Sequence, residues 1–289
     1  MADLDLRPLS LGEILDRTFS LYRKNFLLFL GISAFPHSLI LAMNLAQTFL
    51  TKMPTFPTQP GQEQFQSNPF GGLLAFGIAG IIIGLIVYMV AFLFSQGGTV
   101  FAVSELYLGR TTTIGASLGR MWGQLASLFG VVFLNGVAIL IGFILFIVPG
   151  IYIACRLFTC IPAALLEDLG PVNALERSYA LTKDFAGRSF LIYFLYMVLV
   201  YSAAGLFSAP FVVGMVFSMK NPDAMRIWMA LTNVGSFVAG VLVTPFLTIA
   251  TSVFYYDLRV RKEAFDLQLM MNPSGQIPSD TPGVTKMFS

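Results

Sequence analysis

Charge is the scarcest property of this 289-residue chain. Asp, Glu, Lys and Arg occupy 11% of positions, while apolar residues make up 56%; a soluble globular domain carries charge at about 25% of its positions. Too few polar side chains remain to cover a soluble surface, and the clustered Lys and Arg of a nucleic-acid interface are missing. Histidine is scarcer still, with His37 the single one. That excludes an HExxH zinc site, no P-loop is present, and a single histidine within a span cannot complete the triad of a GxSxG serine site. Cysteine is limited to Cys155 and Cys160, which a helix would point about 140° apart, so they form neither a disulfide nor a CxxC site. No catalytic residue, cofactor site or metal site is read from the sequence. The first 25 residues hold eight charges and do not resemble a cleaved signal peptide.

What charge there is lies in clumps. Residues 25–51, 64–104, 121–155, 189–219 and 227–256 contain none at all, and each run exceeds the roughly 20 apolar residues that cross a bilayer. The expected fold is an all-α, polytopic membrane bundle of six transmembrane helices. They are placed at Phe26–Leu50, Gly72–Phe94, Leu125–Val148, Ile151–Leu166, Phe190–Phe211 and Ile227–Val253. Pro149-Gly150 is the expected turn between the third and fourth. The short fourth span contains Arg156, which leaves a re-entrant segment as the alternative. With both termini cytoplasmic, inner segments hold 13 Lys and Arg and outer segments three, the asymmetry of a cytoplasmic-membrane protein.

This gives a chain organised as a cytoplasmic N-terminal segment (1–25) with an amphipathic interfacial helix, a six-span domain (26–256), a cytoplasmic helix (257–271) and a disordered tail (272–289). Ser10-Leu-Gly-Glu13 fits a capping box, and Leu11, Ile14, Leu15, Thr18, Phe19 and Tyr22 follow on one helical face. The basic opposite face suits anionic headgroups at the cytoplasmic surface, so membrane lipids are the expected partners.

A short pattern recurs. Leu15-Asp-Arg17-Thr-Phe19, Leu118-Gly-Arg120-Met-Trp122 and Leu175-Glu-Arg177-Ser-Tyr179 all read Leu-x-Arg-x-aromatic. Each precedes an odd-numbered span, which predicts three repeats of an interfacial helix plus a transmembrane hairpin. Acids follow the even-numbered spans: Glu105, Glu167 with Asp168, and Asp257. A carboxylate near a low-dielectric boundary needs a partner, so Glu105, Glu167 and Asp257 are expected to pair with Arg17, Arg120 and Arg177.

Polar groups at membrane depth are candidates for function. Arg156 lies about 9 Å of helix rise into the fourth span and is expected to snorkel to the outer headgroups. His37 follows Pro36 and is expected to satisfy a carbonyl that the proline frees, with proton relay as the alternative. Asn44, Asn135 and Asn233 suit interhelical hydrogen bonds, and Gly77, Gly80 and Gly84 close helix packing.

Leu6–Phe26 (LRPLSLGEILDRTFSLYRKNF) and Phe254–Leu269 (FYYDLRVRKEAFDLQL) resemble the two ends of the bacterial glycerophosphoryl diester phosphodiesterase membrane domain. The middle, with Pro149-Gly150-Ile151 and Ala174–Ser178, is similar to the same family. The resemblance covers roughly residues 6–269 and implies a six-helix bacterial membrane domain, sometimes fused to a catalytic barrel. The His-Arg-Gly motif of that barrel has no counterpart here, so the barrel's activity does not carry over. The reading that follows is a non-enzymatic inner-membrane module that scaffolds or regulates a partner or organises lipid. The alternatives are a carrier for lipid or a small hydrophobic solute, and an enzyme acting on phospholipid headgroups.

Overall fold

The computed structural model describes residues 7–50, 69–218 and 221–263, and every regular element within them is an α-helix. Helix α1 (Leu11–Lys24) begins at Ser10, whose hydroxyl accepts from the Glu13 N–H while the Glu13 carboxylate accepts from the Ser10 N–H. Each side chain thus satisfies a backbone donor of the first turn, as the capping box requires. Asn25 alone separates α1 from α2 (Phe26–Leu50). Then come α3 (Pro69–Tyr107), α4 (Ile114–Trp122), α5 (Leu125–Leu145), α6 (Ile147–Arg156), α7 (Cys160–Leu166), α8 (Pro171–Leu181), α9 (Ala186–Phe217) and α10 (Pro222–Glu263).

Six segments are long and apolar enough to cross a membrane: α2, α3, α5, the α6–α7 pair, α9 and α10. The chain is a multi-pass membrane protein with an all-α bundle. The expected spans are present, but their ends move. The hairpin between the third and fourth turns at Phe146, which is fully extended, rather than at Pro149-Gly150. Pro149 falls in the first turn of α6, where a missing N–H leaves no hydrogen bond unmade. Gly150 meets Gly142 closely across the hairpin. The fourth span runs the full Ile147–Leu166, broken at residues 157–159. Helices α3 and α10 continue past the expected span ends at Phe94 and Val253, to Tyr107 and Glu263. Residues 1–6, 51–68 and 264–289 lie outside the described residues, and with them the expected outer loop, the expected end of the C-terminal helix and the expected tail.

Packing divides the bundle into two ends. At Ile82–Val90 most of α3 is exposed, whereas Ser95–Val103 is buried without interruption. In α10, residues 248–260 are all buried, whereas residues 225–240 are mostly half-buried. The hydrophobic core therefore sits at the charged end, where α1, α4, α7 and α8 wrap the last turns of α3 and α10. One cluster there gathers Ile14, Phe29, Ile32, Val103, Phe254, Tyr255 and Leu258, and a second Leu93, Val100, Met121, Leu128 and Val131. The opposite half presents apolar side chains outward, including Phe133, Ile144, Phe194, Leu206 and Phe217, as a surface solvated by lipid does.

Glycine marks close helix packing, though not where α3 suggested it. A Cβ at Gly80 would meet nothing, and one at Gly84 would reach only Met43. The tight contact is at Gly235 of α10, where a Cβ would collide with the Phe207 carbonyl of α9. Backbone on both sides leaves no flexible atom to yield. Gly235→Ala is expected to destabilise the protein by about 1–3 kcal/mol, as overpacking does, and Gly80→Ala to stay within about 0.5 kcal/mol of wild type. Denaturant titration of both variants in detergent checks the contrast.

Candidate functional site: a charged collar above an intramembrane cavity

The three Leu-x-Arg-x-aromatic helices bury the same register. In α1 the fully buried residues are Ile14 and Thr18, in α4 Ser117 and Met121, and in α8 Ala174 and Ser178 among others. Each pair lies four apart, one above the other on a helix face. The fourth position of the pattern is thus its most buried one, a regularity hidden in the sequence because Thr, Met and Ser share no hydropathy. The aromatic that follows faces outward, with exposures of 55% for Phe19, 73% for Trp122 and 49% for Tyr179. Aromatic side chains so placed suit a membrane interface.

Each of these helices docks on a return span. Phe19 packs on Phe246 at 4.6 Å between centroids and Trp122 on Phe94 at 5.6 Å. Tyr179 instead lies over the guanidinium of Arg156 at 3.8 Å. Phe94, Arg156 and Phe246 each stand eleven positions before an acid: Glu105, Glu167 and Asp257.

Two of the three expected ion pairs form. Arg120 donates to Glu105 at 3.1 Å, with Arg110 3.7 Å from the same carboxylate. Arg177 grips Glu167 through Nε at 2.8 Å and Nη2 at 3.0 Å, the bidentate geometry suited to carboxylate. Glu167 also accepts from the Tyr255 hydroxyl at 2.5 Å, and Glu263 bridges Arg177 to Arg259. Burial alone would lower the Arg177 pKa, but the hydrogen bond and charge of Glu167, with Glu263 behind it, raise it above the ordinary arginine value. The third pair is rearranged. Asp257 accepts from the Leu9 N–H at 2.6 Å and from Arg261 at 2.9 Å, with Arg188 at 3.7 Å, while Arg17 lies 5.2 Å above the Tyr107 ring. The reason is geometric: the segment leading into α1 reaches Asp257 first with its backbone.

Arg156 does not extend to the outer headgroups. It is 2% exposed and lies against α8 at the charged end, because the break at residues 157–159 lets α8 dock there. Ser178 and Thr182 both donate to the Arg156 carbonyl, at 3.1 and 2.6 Å, and the Thr159 N–H donates to Ser178. Hydroxyls of α8 thereby satisfy backbone groups that the broken helix leaves open.

His37 reaches a carbonyl one residue beyond Ile32, whose carbonyl loses its helical partner to Pro36. Its Nδ1 is 2.8 Å from the Ser33 carbonyl and its Nε2 is 3.4 Å from the Thr244 hydroxyl of α10. The carbonyl fixes the proton on Nδ1 and leaves Nε2 as the acceptor. Asn233 makes its interhelical bond, donating to Thr48 at 3.3 Å. Asn135 does not: its Oδ1 is buried with no hydrogen-bond partner.

Asn135 instead faces a cavity of about 300 Å³, within the range of small-molecule sites. All six spans line it. The polar wall is His37, Ser95, Gln96, Asn135, Thr244 and Thr248; Phe92, Phe158, Ile161 and Leu247 supply apolar surface. Thr248 donates to Gln96 at 2.6 Å, but the Ser95 hydroxyl, like Asn135 Oδ1, has no partner. No single residue announced this cavity. That polar wall is spread over α2, α3, α5 and α10, each of which reads as an apolar span with one or two small polar residues.

The collar and the cavity are separate in chemistry. Glu105, Glu167 and Asp257 are neutralised by arginines and do not line the cavity. Among the described residues, no three His, Cys, Asp or Glu side chains converge. Removing one partner of a buried network strands the others, at roughly 3–5 kcal/mol, whereas an exposed pair contributes at most about 1 kcal/mol. Glu167→Ala is therefore expected to destabilise the protein by several-fold more than Glu105→Ala, whose partner Arg120 is 59% exposed. Thermal unfolding of the two variants in the same detergent decides this.

No family model, curated protein or solved structure matches the chain.

Proposed function

We propose that the protein is a non-enzymatic module of the bacterial cytoplasmic membrane that binds a small amphipathic molecule, as a carrier or receptor, inside its six-span bundle. The observation that carries this reading is the cavity lined by all six spans, with Ser95 Oγ and Asn135 Oδ1 unsatisfied in its wall. Buried polar groups in a membrane protein are strongly disfavoured without partners, and two residues with such groups in the wall of one chamber fit a ligand with a polar end and an apolar body. The ordered carboxylate–arginine pairs fit a structural collar better than a reactive site. Both termini are assigned to the cytoplasm on the 13-to-3 distribution of basic residues. The recurring register of α1, α4 and α8, each docked on a return span, supports three repeated units arranged around the cavity.

A second reading, lipid organisation, is favoured by the exposed Phe19, Trp122 and Tyr179, which suit anchoring at the headgroup layer. The resemblance of Leu6–Phe26 and Phe254–Leu269 to the glycerophosphoryl diester phosphodiesterase membrane domain agrees with either, because no barrel motif accompanies it.

Protein extracted directly into lipid nanodiscs is expected to carry one small amphiphile per chain by mass spectrometry. Ser95→Phe, which fills the chamber, is expected to lower that content at least about tenfold, the equivalent of one lost hydrogen-bonded contact. Equal content in wild type and variant, or none in either, overturns the proposal.

A further inference from the structure

One of the three docking contacts breaks the pattern. Phe19 and Trp122 rest on phenylalanines, Phe246 and Phe94, whereas Tyr179 rests on Arg156. The two phenylalanines demonstrate that packing at this place needs no charge. Yet Arg156 is 2% exposed, and its Nε and Nη1 have no hydrogen-bond partner. Among the described residues no carboxylate pairs with it. Its carbonyl accepts from Ser178 and Thr182, and the unmet donors are on the guanidinium. A guanidinium in a low-dielectric setting without an acceptor is strongly unfavourable, and the end of α6 supplies only a partial negative charge.

The surroundings specify what would complete it. Tyr179 covers the guanidinium at 3.8 Å and Tyr152 flanks it at 5.8 Å. Both rings are half exposed, and Val148, Ile151 and Val172 beside them are exposed apolar side chains. Tyr179 shares its outward setting with Phe19 and Trp122, the aromatic row suited to the membrane interface. The guanidinium therefore lies at headgroup depth, next to a strip that suits an acyl chain.

We propose that Arg156, with Tyr152 and Tyr179, binds the phosphate of an anionic phospholipid at the charged end of the bundle. Guanidinium offers two parallel donors to a phosphate and pairs with it better than an ammonium does. The Tyr179 ring acts as a flap, and its rotation outward opens Nη1 to the phosphate while the phenol hydroxyls donate from the rim. This site is distinct from the cavity and stands or falls without it.

The test uses the full chain in phosphatidylcholine vesicles with and without added phosphatidylglycerol. Phosphatidylglycerol is expected to raise the melting temperature of wild type. Native mass spectrometry is expected to find about tenfold less phosphatidylglycerol retained by Arg156→Phe, which places the residue of the other two contacts there. Arg156→Gln, polar and uncharged, is expected to show the same loss and replaces Arg156→Phe if that variant does not assemble. Arg156→Lys is expected to retain part of the binding, since its charge remains. A wild type indifferent to phosphatidylglycerol, or equal retention by wild type and the uncharged variants, overturns the proposal. Inorganic phosphate in pure phosphatidylcholine vesicles is expected to leave the melting temperature unchanged. An equal rise with phosphate alone would assign the site to the free anion and overturn the lipid.

Discussion

The carboxylate of Asp257 is fully buried, and its partners come from distant parts of the chain: the Leu9 N–H, Arg188 in the first turn of α9, and Arg261 one turn further along α10. A buried carboxylate must be paired or it drives the fold apart, so these contacts fix where α1 begins relative to where α10 ends. The Leu9 carbonyl returns the contact by accepting from Arg261 and Arg188. From this point the rest of the charged end follows in register. Two residues before Asp257, Tyr255 donates to Glu167; two residues after it, Arg259 joins the Glu167–Arg177–Glu263 network. Alternate residues of one helical stretch thus tie down α1, α7 and α8.

That arrangement accounts for the unequal packing of the two ends. Side chains at the charged end are held by ion pairs, hydroxyl-to-carbonyl bonds and an apolar core, in the manner of a water-soluble helical domain. The opposite half relies on helix contacts such as Gly235 on Phe207 and otherwise offers apolar surface to lipid. The cavity lies between the two regimes. It begins where Gln96 and Thr248 close off the core and extends to His37 and Asn135. A proline in α2 and one in α10, Pro36 and Pro245, flank the His37–Thr244 contact. Each removes a helical N–H there.

The six spans were legible because a charge-free run of membrane length suits little besides a bilayer, and the Ser10–Glu13 cap because its spacing matches the donors it serves. The Glu105–Arg120 and Glu167–Arg177 pairs followed from the cost of a lone carboxylate at an apolar boundary. The continuation of α3 through Ser95–Tyr107 was not legible. Its Ser, Gln, Gly and Thr look like the end of a span, yet they are buried by neighbouring helices such as α4 rather than wetted. The position of Arg156 failed for a related reason. Helix α6 is continuous up to Arg156, but the break at residues 157–159 just beyond it, which seats α8 against the guanidinium, leaves no hydropathy signal. The cavity is a property of six helices together, which no single span encodes.

The chamber shared by all six spans is the centre of this account, with the collar of arginines and acids holding its walls in place. A density map of the full chain in lipid nanodiscs tests it most directly. An open chamber holding elongated non-protein density, its polar end within hydrogen-bonding reach of Ser95 and Asn135, is the expected result. Inward closure of α3 and α9, with Ser95 and Asn135 bonded to protein groups and no space between, would contradict it.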